Sequence, residues 1–168
     1  MNLSNYFWYF KSALTPKFCD DVIAYANSQQ EVMARTGRYV NKKFPFSREW
    51  DKLNTYLREH INVEYGFQLI NKETWGNVYK PKEISIPLLN IDPIDLRNSA
   101  DYTLLYGVNV KDCSVRIHYD DNRRKGRSWD IPLKNNQFIM FPSMQMYYIT
   151  NNQKDSLNFI LTITHEFI

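Results

Sequence analysis

The sequence predicts an α+β fold: two helices, then about eight short strands forming a twisted β-sandwich or barrel, with the helices packed on one sheet. Three observations carry this. The apolar period changes from three-to-four residues to two after Gly66. Aromatic residues make up 15% of the chain, mostly Tyr and Phe in extended-looking segments, and such side chains suit a pleated surface. From Gln137 to Phe167 there are three apolar or alternating runs, broken by a sharp Pro142-Ser143 corner and by a polar turn at Asn151–Lys154.

Taken in order, Asn5–Phe10 (NYFWYF) is an aromatic run suited to an edge strand or to packing on the first helix. Thr15 is an N-cap with Pro16 at the first helical position, and Asp20 and Asp21 complement the dipole, so a helix is predicted from Pro16 to about Gln30. Arg35–Phe46 is a basic loop. Ser47 caps a second helix whose stripe is Trp50, Leu53, Leu57 and Ile61, with Gly66 as its C-terminal glycine and His60 on its solvated side. Strands are predicted at Phe67–Ile70 and Thr74–Tyr79. Lys80–Ala100 reads as one long irregular loop with Pro81, Pro87 and Pro93, of the kind that is functional or forms a binding surface. Tyr102–Val110, Ser114–Tyr119, Trp129–Leu133, Gln137–Phe141, Met146–Thr150 and Leu157–Phe167 complete the strands. The whole of 1–168 reads as one domain, with helical support at about 16–66 and a β core at about 67–168.

Composition excludes several classes of function. Twenty-one basic and 18 acidic residues leave a net charge of +3, too balanced to imply nucleic acid or membrane binding. No apolar run approaches a membrane span, and the N-terminus lacks the features of a signal peptide, so intracellular synthesis is expected. Cys19 and Cys113 lie far apart without CxxC spacing; buried thiols are the default reading, and a disulfide between them stays open. There is no phosphate-binding glycine loop, and no nucleophile–base arrangement is recognisable. The basic turn Asp121–Arg127 (DNRRKGR) would suit a phosphate or an acidic partner, but with no second patch a solvated hairpin is the better reading.

Four segments carry a resemblance: FWYFKSALTPKFCDDVIAYA, TWGNVYKPKE, DYTLLYGVNV and WDIPLKNNQFIMFPSMQMYYIT. In this order they resemble the small 2-oxoglutarate/Fe(II)-dependent oxygenases of the prolyl-4-hydroxylase-like kind found in marine bacteriophages. The resemblance implies a double-stranded β-helix, or jelly-roll, core. It also implies Fe(II) held by two histidines and a carboxylate, with 2-oxoglutarate as co-substrate. The family's His-x-Asp pair falls here in the register of Leu88-Leu89-Asn90. Its third ligand, counted from Ser143 of the "FPS" corner, falls on Tyr147. For its co-substrate-gripping cation, only Lys154 is available in the final strands. Leucine has no donor atom, and an amide oxygen is a weak ligand for iron. The loop Lys80–Ala100 contains no histidine, and its Asp92 and Asp95 could add only carboxylates.

These substitutions lead to the expectation of a catalytically silent jelly-roll without cofactor, acting as a structural or interaction protein. The resemblance implies a bacteriophage virion component, at the tail or neck, with other structural proteins or further copies of itself as partners. Exposed sheet edges, the Lys80–Ala100 loop and the aromatic N-terminus are the expected contact surfaces. Met144, Met146, Tyr147 and Tyr148 would fill the old iron pocket, offer an adaptable surface or simply pack the core. The alternative is an active Fe(II)/2-oxoglutarate hydroxylase with rearranged ligands His118, Asp120 and His165, since His118-Tyr119-Asp120 also spells His-x-Asp on one strand face. Against it, both histidines also read as ordinary strand residues.

Overall fold

The computed structural model describes residues 8–11, 48–122 and 125–168, with side chains for 52–118 and 128–168. The predicted Pro16–Gln30 helix and the Arg35–Phe46 loop lie outside the described residues. Helix α1 spans Arg48–Tyr65. Leu53, Leu57 and Ile61 are fully buried, as the three-and-four spacing requires. Gly66 ends the helix at φ +73°, donating its N–H to the Asn62 carbonyl at 2.9 Å, a conformation that costs glycine little.

Eight strands follow the helix or flank it: β1 (Trp8–Lys11), β2 (Leu69–Tyr79), β3 (Tyr102–Asn109), β4 (Cys113–Asn122), β5 (Lys125–Leu133), β6 (Gln137–Pro142), β7 (Tyr147–Asn151) and β8 (Asn158–Phe167). They form two antiparallel sheets, one of order β1-β6-β3-β8-β2 and one of order β5-β4-β7. The two faces of the larger sheet bury different sets of side chains. Phe159, Leu161 and Ile163 of β8 pack with Leu53, Leu57 and Ile61 beneath α1. Ile160, on the opposite face of β8, joins Val115, Ile117, Ile139, Phe141 and Tyr147 in the core between the sheets. Period two thus divides one strand between two cores.

Two expectations need correction. The strands predicted at Phe67–Ile70 and Thr74–Tyr79 are one strand, β2, with a bulge between Asn71 and Glu73. The extra residue is absorbed because β8 pairs on both sides of it. Nor is the loop Lys80–Ala100 irregular throughout. Ile84 and Leu88 bridge Thr150 and Tyr147, and the chain exchanges main-chain hydrogen bonds with β7 from Glu83 to Leu88. The first half of the loop is in effect a fourth, irregular strand of the smaller sheet. Beyond it, a 3-10 turn covers Leu96–Asn98.

The Pro142-Ser143 corner falls where expected. Gln145 N–H bonds the Pro142 carbonyl at 2.9 Å, and Ser143 N–H bonds the Asp101 carbonyl at 2.9 Å. The Ser143 and Thr103 hydroxyls lie 2.8 Å apart. The corner is thereby tied to the start of β3 and fixes where β7 begins.

Candidate functional site

Between the sheets lies a cavity of about 500 Å³, bordered by β2, β7 and the Lys80–Ala100 segment. Leu88, Asn90 and Tyr147, which the resemblance marks as the ligand positions, converge on its wall. The Leu88 and Tyr147 main chains bond each other reciprocally at 2.8 and 3.0 Å, which brings the two segments into register. Two residues on, the Asn90 amide reaches Tyr147 Oη at 2.9 Å and Thr103 Oγ1 at 3.2 Å. With the Thr103–Ser143 contact, this forms one neutral network across the mouth of the sandwich.

The donor set does not fit iron. A facial triad needs two imidazoles and a carboxylate. The positions that the resemblance marks hold an alkyl chain, an amide and a phenol. Burial pushes the Tyr147 phenol up to about 12, the Asn90 bond acting in the opposite direction, so the group is neutral at physiological pH. Burial also raises Tyr79 well above its ordinary value, with Tyr147, Cys113 and Glu83 nearby adding to the effect. Among the described residues, no three His, Cys, Asp or Glu side chains gather into a metal-binding group. Lys154 is exposed in the turn between β7 and β8, at the far end of β7 from Tyr147, and does not line the cavity. Lys72 does, but its ammonium is held by Glu166 at 2.9 Å and by the Asn98 carbonyl.

The rearranged triad of His118, Asp120 and His165 is not assembled. Val115 and Ile117 of β4 point between the sheets, so His118 points outward; it is exposed, with its ring edge-on to Tyr148 at 5.0 Å. His165 alternates with Leu161 and Ile163, which face α1, and is wholly buried on that side, close enough to feel the Arg58 charge. The histidines therefore face away from each other with both sheets between them. Packed sheets are about 10 Å apart, whereas metal donors lie about 2 Å from their ion. The Asp120 side chain lies outside the described ones, as do those of the basic turn at Asp121–Arg127.

Other sequence candidates fall into place separately. Asp92 lines the cavity, and its carboxylate accepts the Ile94 N–H at 2.9 Å; Asp95 accepts from the Asn98 amide at 2.8 Å, so both serve their own loop. His60 is half-buried, not solvated, and stacks on Tyr56 at 6.2 Å. Of the Met/Tyr run, Tyr147 is buried while Met144 and Met146 are 76% and 43% exposed, so the run is not uniformly core. Sequence reasoning missed Trp75 and Asn77. Their alternation with Tyr79 in TWGNVY places them on one face of β2, and all three line the cavity.

The fold defines a class: two antiparallel sheets with the arrangement of the 2-oxoglutarate/Fe(II) oxygenase jelly-rolls, prolyl-4-hydroxylase-like members included. A Pseudomonas putida prolyl-4-hydroxylase is similar at a TM-score of 0.64 and 14% identity, over 98% of this chain and 95% of that one. The viral collagen prolyl hydroxylase of Paramecium Bursaria Chlorella virus-1, in its 2-oxoglutarate complex, gives 0.66 and 13%, over 97% and 96%. HygX of Streptomyces hygroscopicus, with nickel and 2-oxoglutarate bound, gives 0.68 and 7%, over 98% and 84%. No protein-family model matches the sequence, and no curated protein is similar to it in sequence. Likeness at such identities establishes the fold alone.

Proposed function

We propose that this chain is a catalytically silent jelly-roll of the oxygenase type, working by binding rather than by oxidation. One observation carries the reading: an amide–phenol hydrogen bond, Asn90 to Tyr147, occupies the place where the resemblance would put the metal ligands. Neutral groups bonded to each other offer iron neither charge nor a strong donor. The function is then structural or interactive, as a virion component at a bacteriophage tail or neck, with protein partners or further copies of the chain. The phage setting rests on the resemblance to phage-encoded oxygenases. The exposed Ile84, Ile86, Ile94 and Leu96 of the Lys80–Ala100 segment support a contact role for that surface. No described helix is long and apolar enough to cross a membrane.

The test is a thermal titration with Fe(II) or Mn(II) and 2-oxoglutarate under anaerobic conditions. A silent protein shows no rise in Tm, because a ligand that does not bind the native state cannot stabilise it. A rise that needs metal and 2-oxoglutarate together, or succinate formation in air, would overturn the reading. Co-purification with assembled particles tests the virion role separately.

A further inference from the structure

The cavity between the sheets has a largely uncharged polar lining. Its uncharged polar groups include the Asn77 and Asn90 amides, the Tyr79 and Tyr147 phenols and the Thr164 hydroxyl. Half-buried Trp75 adds an aromatic wall beside them. The Asn77 amide makes no hydrogen bond to any described residue, although it lines the cavity and is half-buried. Its oxygen and amino group are thus open to water or to the hydroxyls of a ligand in the cavity. Tyr147 Oη accepts from Asn90 and keeps its own proton for a further acceptor.

Charge then selects among ligands. The one cation lining the cavity among the described residues, Lys72, is already held by Glu166 and the Asn98 carbonyl. Glu73 and Asp92 also border the opening. A dicarboxylate or phosphate would meet carboxylates without an uncommitted cation, and would lose more hydration than it regained. An uncharged ligand rich in hydroxyls meets no such penalty. Its hydroxyls match amides and phenols, which both donate and accept, and its C–H faces match an aromatic wall. A cavity of about 500 Å³ is of the size that takes a small molecule.

We infer that this cavity binds a neutral polyhydroxylated ligand of the saccharide class, with Asn77 and Asn90 bonding its hydroxyls and Trp75 covering an apolar face. The inference rests on the binding reading above and names its ligand.

The experiment titrates the full chain with glucose, galactose, N-acetylglucosamine and cellobiose, followed by saturation-transfer NMR. Parallel arms use tetramethylammonium, and 2-oxoglutarate with Mn(II). At least one sugar should bind with a Kd of about 1 mM or tighter. That Kd should weaken at least about tenfold, or 1.4 kcal/mol, in Asn77→Leu and in Trp75→Ala. Should Trp75→Ala fail to fold, Asn77→Leu, which removes no hydrogen bond to a described residue, still decides. Absence of binding by all four sugars overturns the inference, as does sugar binding indifferent to Asn77→Leu, or binding of tetramethylammonium alone. Stabilisation by Mn(II) with 2-oxoglutarate is a separate readout that overturns the silent-enzyme reading instead.

Discussion

The Asn90 side-chain amide donates to Tyr147 Oη at 2.9 Å, joining residues 57 apart in sequence across the mouth of the sandwich. The bond exists because Leu88 and Tyr147 are paired through their main chains, which sets Asn90 opposite the phenol. It belongs to a network that continues through Thr103 to Ser143, so it also holds the corner before β7.

Removing the phenol oxygen tests this link. Tyr147→Phe should cost about 1 kcal/mol, the usual net worth of a buried neutral hydrogen bond. In a double-mutant cycle with Asn90→Ala, the coupling should be about 0.5–1.5 kcal/mol by urea unfolding. Strict additivity of the two losses would show that the bond contributes nothing.

His165 makes stability depend on pH. Its ring is wholly buried, and neither nitrogen has a hydrogen-bond partner among the described residues. Burial, helped by the Arg58 charge, lowers it to about 4 from an ordinary 6.5. The unfolded chain therefore takes up a proton below about 6.5 that the folded chain refuses until about 4. Stability should be full above the upper value and fall as pH drops through this window, by on the order of 3 kcal/mol in all. In His165→Leu the slope of unfolding free energy against pH should flatten by up to about 1.4 kcal/mol per pH unit. An unchanged slope would contradict a buried neutral imidazole.

Gly107 leaves no room for a side chain. A Cβ there would run into the Lys134 carbonyl oxygen and stand 3.0 Å from Val110 Cγ2. The neighbouring backbone cannot easily yield, because Asn136 N–H is bonded to the Gly107 carbonyl at 2.8 Å. Gly107→Ala should destabilise by about 2–3 kcal/mol, read as a lowered urea midpoint with unchanged m-value.

Cys113 should be chemically inert in the native protein. It is buried, and burial pushes its thiol up to about 12, leaving almost no thiolate at neutral pH. Iodoacetamide should modify it only in denaturant, as peptide mass mapping would show apart from Cys19. Rapid labelling of Cys113 in the folded chain would contradict this placement.

Much of the fold was legible because its signals are local. The stripe Leu53-Leu57-Ile61 and Gly66 marked α1, and β3 to β8 came from alternation and turn residues. The β7-paired strand at Glu83–Leu88 was not legible. Prolines at 81 and 87 hide it, and its pairing is imposed by β7, more than fifty residues later. The continuity of β2 was missed for a similar reason, since its bulge is bridged by β8. At the site, residue identities were readable, but that Leu88, Asn90 and Tyr147 border one cavity was not. His118 shows the complementary failure. Alternation sets it with Arg116, but only the packing of Val115 and Ile117 shows that their face is the outer one.

The sequence by itself determined the elements and the chemistry available to the site, because periodicity, turn residues and donor types belong to single residues and short windows. The tertiary structure alone decided that Asn90 meets Tyr147, that His118 and His165 face away from each other, and that Asn77 and Trp75 border the same cavity as Asn90. Those outcomes depend on which sheet faces pack together, and that is settled by burying two apolar cores whose members come from opposite ends of the described chain.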